Sequence, residues 1–125
     1  MEVGQEKEME MSKVIHLKTE EFEREVLQAE QPVLVDFYAV WCAPCQMIAP
    51  MIEKTAADFA GRVKVAKVDV DQEFALAERF RITGIPTLIL FKEGRVWDRI
   101  VGLPTPSLLR NKLEELAPVA PLISL

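Results

Sequence analysis

Cys42 and Cys45 are the only two cysteines of the chain, and they stand three residues apart in the stretch DFYAVWCAPCQMIAP, residues 36–50. Two thiols at this spacing fit three chemistries: a structural bridge, half of a metal site, or a working redox couple. An apolar run precedes them, which puts Cys42 at a strand-to-helix junction and Cys45 in the first helical turn. Residues three apart on a helix share a face, with Cβ atoms about 5–6 Å apart, and a small adjustment brings that within disulfide reach. A helix N-terminus also presents unpaired N–H groups and the positive end of its dipole. A thiolate there is stabilised, and its pKa falls below the free value of ~8.5. By position Cys42 is expected to be the more exposed and nucleophilic thiol. Cys45, lying deeper, resolves the mixed disulfide that Cys42 forms. Pro44 fits because first-turn N–H groups have no partner within the helix.

The competing chemistries are less well supplied. A zinc site takes four ligands, and the chain offers two cysteines and one distant histidine, His16, so no metal is expected unless two chains share one. A cysteine hydrolase needs a base, and His16, read as a surface residue, is the sole candidate. A structural bridge across so short a loop contributes little in the chain-entropy picture. Asp36 is the other chemical residue. A carboxylate amid VLVDFY is costly to bury when charged, burial raises its pKa, and such perturbed acids cluster at active sites.

The 125 residues fit one domain, and half of them are hydrophobic, enough for an ordinary core. Residues 1–11 are expected to be a disordered acidic tail, 12–117 the domain, and 118–125 (PVAPLISL) an apolar tail. The formal net charge is −5, and four glutamates against one lysine within residues 1–11 supply most of it. The remaining body gives no electrostatic footprint for nucleic acid or a membrane surface. No apolar run approaches the ~20 residues of a membrane helix, and the acidic N-terminus does not read as a secretory signal. The expected location is therefore the cytoplasm, where CxxC is catalytic or metal-binding more often than structural. Nothing in the sequence calls for more than a monomer.

The elements that position the thiols follow from pattern. Residues 14–17 read as a short strand, and Thr19 as the N-cap of a helix whose apolar stripe is Phe22, Val26, Leu27 and Ala29. Residues 33–38 read as a central parallel strand, apolar on both faces except for Asp36. A helix is expected from about 43 to 60, burying Met47, Ile48, Met51, Ile52, Thr55 and Phe59, kinked at Pro50 and closed by Gly61. Residues 63–70 form a strand and 74–80 a short helix. Strands 87–91 and 95–101 pair as a hairpin through Lys92-Glu93-Gly94. Thr105-Pro106 opens the last helix. The fold class is α/β: a mixed sheet of about five strands flanked by about four helices. Phe37 and Trp97 are assigned to packing.

VLVDFYAVWCAPC, QMIAPMIEK, AKVDVDQ, GIPTLILFKEGR and VGLP occur in this order, and across residues 14–117 the sequence resembles the thioredoxin family. The resemblance implies the thioredoxin fold and dithiol–disulfide exchange, with Cys42 attacking and Cys45 resolving. It identifies Asp36 with the family's buried acid beneath the disulfide, exchanging a proton with Cys45 through water, and Lys67 with the acid's partner. It aligns Ile85-Pro86-Thr87 with a cis-proline loop beside the thiols. Trp41, Ala43, Pro44, Gly84, Ile85, Pro86 and Gly102, with Leu103, then form an apolar rim that docks disulfide-containing protein substrates. The implied electron source is a thioredoxin reductase, an NADPH-dependent flavoprotein. The chain itself has no nucleotide fingerprint such as GxGxxG and is expected to bind no cofactor. Two departures stand out. The family commonly reads WCGPC, and Ala43 replaces that glycine; Tyr38 stands where many members have tryptophan. The rival readings are a redox-inert binding module using the same rim, and a disulfide oxidase or isomerase.

Overall fold

Val33 to Phe37 lie almost wholly out of solvent, none more than 1% exposed, because the strand they form sits at the centre of the sheet with helices on both faces. The computed structural model describes residues 12–119; the expected acidic tail and residues 120–125 of the apolar tail lie outside the described residues. Five strands, β1 (Ile15–His16), β2 (Val33–Tyr38), β3 (Lys64–Asp69), β4 (Thr87–Lys92) and β5 (Arg95–Val101), form one sheet in the order β1-β3-β2-β4-β5. β1 and β2 run parallel to β3, whereas β4 runs antiparallel to both β2 and β5. The mixed α/β sheet expected from the element order is therefore the sheet observed.

Alternation along β2 divides the core in two. Leu34 joins Val65, Leu88 and Leu90 beneath helices α1 (Ala43–Asp58) and α3 (Pro106–Leu116), which contribute Ile48, Ile52, Leu109 and Leu113. Val33, Val35 and Phe37 face the other way, into a cluster with Phe22, Val26 and Leu76, the last from helix α2 (Phe74–Arg79). Phe22, Phe80 and Phe91 there pack with ring centroids 5.2–5.6 Å apart, in the tilted and edge-on arrangements aromatic quadrupoles favour.

Local chemistry sets the element ends. Thr105 caps α3 as expected, its hydroxyl accepting from the Leu108 N–H at 3.1 Å, with Pro106 in the first turn. Glu93 and Gly94 form the two-residue hairpin loop with φ of 55° and 77°, the left-handed pair that matches strand twist. α1 runs without interruption through Pro50 to Asp58.

Four expectations need correction. The segment before β2 is a 3-10 turn (Thr19–Glu21) followed by a π-helical stretch (Glu23–Leu27), not one regular α-helix. Thr19 does not cap it: its backbone N–H and hydroxyl each donate to the Glu73 carboxylate at 2.8 Å, drawing the segment towards the loop before α2. Met47 is 69% and Trp97 40% exposed rather than packed inside. Trp97 belongs to β5, an outer strand of the sheet whose residues are largely exposed on both faces.

Candidate functional site

β2 ends at Tyr38, and the chain turns through Ala39–Cys42 into α1. Cys42 is the N-cap of that helix, in extended conformation, with Pro44 inside the first turn. Cys42 and Cys45 form a disulfide with Cα atoms 5.2 Å apart, as one-face spacing at a helix start predicts. The Cys45 backbone N–H donates to Cys42 Sγ at 3.1 Å. One of the orphan donors of the helix start is thus aimed at the first sulfur, the arrangement that stabilises a thiolate there. The expected difference in exposure between the thiols is not found: in the disulfide Cys42 is 4% and Cys45 3% exposed. What separates them is the N–H directed at Cys42.

Asp36 lies two residues before the end of β2, on the sheet face covered by α1, and is 0% exposed. Neither carboxylate oxygen has a hydrogen-bond partner. Burial pushes its pKa up from the ordinary 3.8 to about 6, and the positive charge of Lys67 offsets part of that rise. Lys67 is the register partner of Asp36 in β3, but its ammonium lies 4.3 Å from the centroid of the Tyr38 ring. No ion pair joins Lys67 to Asp36 among the described residues. A cavity of about 230 Å³ opens between α1 and the sheet, lined by Tyr38, Cys45 and Lys67 among others. It is roomy enough for several waters.

The other site candidates gather at the same end. The Ile85–Pro86 peptide is cis, as the resemblance implies, and Cys42 Sγ lies 3.8 Å from the Ile85 carbonyl oxygen. The Thr87 hydroxyl donates to the Gly84 carbonyl and the Gly102 N–H to that of Pro86 at 2.8 Å, tying this loop to the end of β5. Trp41 is 70% exposed, which excludes core packing. Ala43, Pro44 and Leu103 are exposed, Gly84, Ile85 and Gly102 half-buried, and Pro86 buried. Two neighbours were not singled out from sequence. Asp71 accepts from the Trp41 indole N–H at 2.8 Å, and Val101, 64% exposed, has Cγ1 only 3.5 Å from where a Cβ on Gly84 would sit. No local pattern marks Asp71 within VDVDQ; only the folded chain brings it to the indole. His16 is exposed on β1, away from the sulfurs in sequence. Among the described residues no group of three His, Cys, Asp or Glu side chains is placed to hold a metal, and no helix is long and apolar enough to cross a membrane.

A mixed sheet carrying a CxxC disulfide at the tip of a helix, with a buried carboxylate in the strand that leads into it, defines a thiol-disulfide oxidoreductase. The thioredoxin family model matches residues 13–115. Thioredoxin of Haemophilus influenzae is 41% identical over 105 residues, covering 84% of this chain and 98% of that protein. Thioredoxin of Mycobacterium tuberculosis is 43% identical over 109 residues (87% and 94%), and thioredoxin 1 of Nostoc sp. 40% over 105 residues (84% and 98%). The chain belongs to the thioredoxin family.

Proposed function

We propose that this protein reduces disulfides in other proteins, and that it does so as a single domain spanning residues 12–117. The Cys42 thiolate attacks one sulfur of a target disulfide, forming a mixed disulfide and expelling the other target sulfur as a thiolate. The Cys45 thiol then gives its proton to the Asp36 carboxylate through water. Its sulfur attacks Cys42 Sγ, closes the Cys42–Cys45 disulfide and expels the second target thiolate. The target gains two electrons and the CxxC pair loses two. The positive charge of Lys67 tempers the burial-driven rise in the Asp36 pKa. Trp41, Ala43, Pro44, Ile85, Pro86 and Gly102 hold an extended segment of the target, with Gly84 leaving room for it. A flavoprotein thioredoxin reductase, using NADPH, returns the electrons in the cytoplasm, and the protein works as a monomer.

The observation that carries this reading is the Cys45 N–H directed at Cys42 Sγ at a helix start. It supports an ionised Cys42 near neutral pH. A buried acid titrating at about 6 suits proton exchange in the same range. The test is reduction of insulin by dithiothreitol-primed protein. Wild type accelerates it and Cys42→Ser does not. A wild type that accelerates it no more than Cys42→Ser refutes the reading, and no acceleration by either leaves a redox-inert binding module.

A further inference from the structure

We propose that Tyr38 is a positioning residue for the buried acid: its ring captures the Lys67 ammonium and holds it off the Asp36 carboxylate. The inference rests on the reading of Asp36 as the group that exchanges a proton with Cys45.

Asp36 and Lys67 are register partners on adjacent parallel strands, β2 and β3, and Tyr38 and Asp69 are the next such pair on the same face. A lysine opposite a buried carboxylate would ordinarily pair with it, since the alternative leaves two charges short of partners. Here the carboxylate has no hydrogen-bond partner and the ammonium sits 4.3 Å from the Tyr38 centroid. The ring face attracts a cation through its quadrupole. Tyr38 and Lys67 also line both the cavity that reaches Cys45 and a second one, of about 130 Å³, that reaches His16, Asp69 and Glu73. The ring and ammonium together form part of the wall between the sulfurs and the outer strand.

Besides Tyr38, the charged or titratable groups lining these two cavities are Lys67 and Asp69 from β3, His16 from β1, Lys18 just beyond it, Glu73 from the loop before α2 and Cys45 from α1. β4 places Leu88 opposite Asp36 and contributes no charge. Of the two lysines, Lys67 is the one that stands opposite Asp36 in register and whose charge acts on it, and where its ammonium rests decides how readily Asp36 keeps a proton. An ammonium moved onto the carboxylate would hold it ionised through the neutral range, with no protonated state to exchange.

The test follows the Asp36 side-chain carboxyl by carbon NMR from pH 4 to 9 in the oxidised protein. Tyr38→Phe keeps the ring and is expected to keep the midpoint. Tyr38→Leu removes the ring, and the midpoint is expected to fall by at least one pH unit, a tenfold change in the protonation equilibrium. An unchanged or raised midpoint in Tyr38→Leu overturns the proposal, and so does an equal fall in Tyr38→Phe. Should Tyr38→Leu fail to fold, Lys67→Gln decides. A midpoint raised by less than half a unit supports an ammonium already held away, and a larger rise means that Lys67 is paired with Asp36 in the wild type. These readouts use no catalytic turnover. A failure here leaves the proton-exchange role standing, and that role is tested separately by the reduction rate of Asp36→Asn.

Discussion

Replacing Asp36 by asparagine should stabilise the protein at neutral pH while leaving it little changed in acid. Asp36 is fully buried with both oxygens unpartnered, so solvent does not screen the cost of its charge. Its pKa rises from the ordinary 3.8 to about 6 on folding. At 1.36 kcal/mol per pH unit, that displacement corresponds to about 3 kcal/mol lost by the folded state once the group is ionised. The sign follows from proton counts. Between about pH 4 and 6 the unfolded chain has already released a proton that the folded chain keeps. Folding stability therefore falls as pH rises through that window, and the full penalty is present above it. Asparagine is nearly isosteric and does not ionise, so its stability lacks this fall, while the other groups titrate alike in both proteins. Urea unfolding of oxidised wild type and Asp36→Asn, from pH 4 to 8, measures the gap directly. The variant should gain roughly 2–3 kcal/mol on wild type across the range, with equal m-values. A gap that stays constant, or that widens towards acid, would refute the argument that a buried, unpaired charge is what raises the pKa.

Four further outcomes are expected. Cys45→Ser should accumulate a covalent complex with a disulfide-containing target, visible on a non-reducing gel and dissolved by dithiothreitol, because the second attack has lost its sulfur. Equilibration with glutathione should give a potential far below the ~−120 mV of a strong oxidant, and a value near that figure would make the protein an oxidase. Thr105→Ala removes the hydroxyl that accepts from Leu108 and should cost about 1 kcal/mol in urea unfolding, with insulin reduction unchanged. Gly94→Ala should cost roughly 1–3 kcal/mol, since φ is +77° and the new Cβ would lie 3.0 Å from the Leu27 carbonyl oxygen.

Much of the site was legible because its signals are local. The Cys42–Cys45 spacing, the apolar run before it, the Thr105 cap and the Glu93-Gly94 turn each depend on a few neighbouring residues, and each recurs in the fold as read. Asp36 stood out because a charge in a buried strand conflicts with its surroundings. What the sequence withheld depends on which distant segments meet. Nothing in RVWDRIV shows that β5 lies at the sheet's margin, so Trp97 was assigned inside when its strand leaves it in solvent. Thr19 resembles a cap until Glu73 arrives from 54 residues away to take its donors. The equal burial of the two cysteines comes from Ala39, Val70 and Ile85 closing around the disulfide, three segments with no sequence link to one another.

Pro50 lies inside α1 with no N–H to offer, so the Gln46 carbonyl one turn earlier has no rung above it. The helix tip bearing both sulfurs is tied down by other means: the Gln46 side-chain amide donates to the Val40 carbonyl at 2.8 Å, and Ile48 is anchored in the core. The missing rung leaves the turn that bears both sulfurs joined to the turns below it by one backbone hydrogen bond fewer than a regular helix supplies.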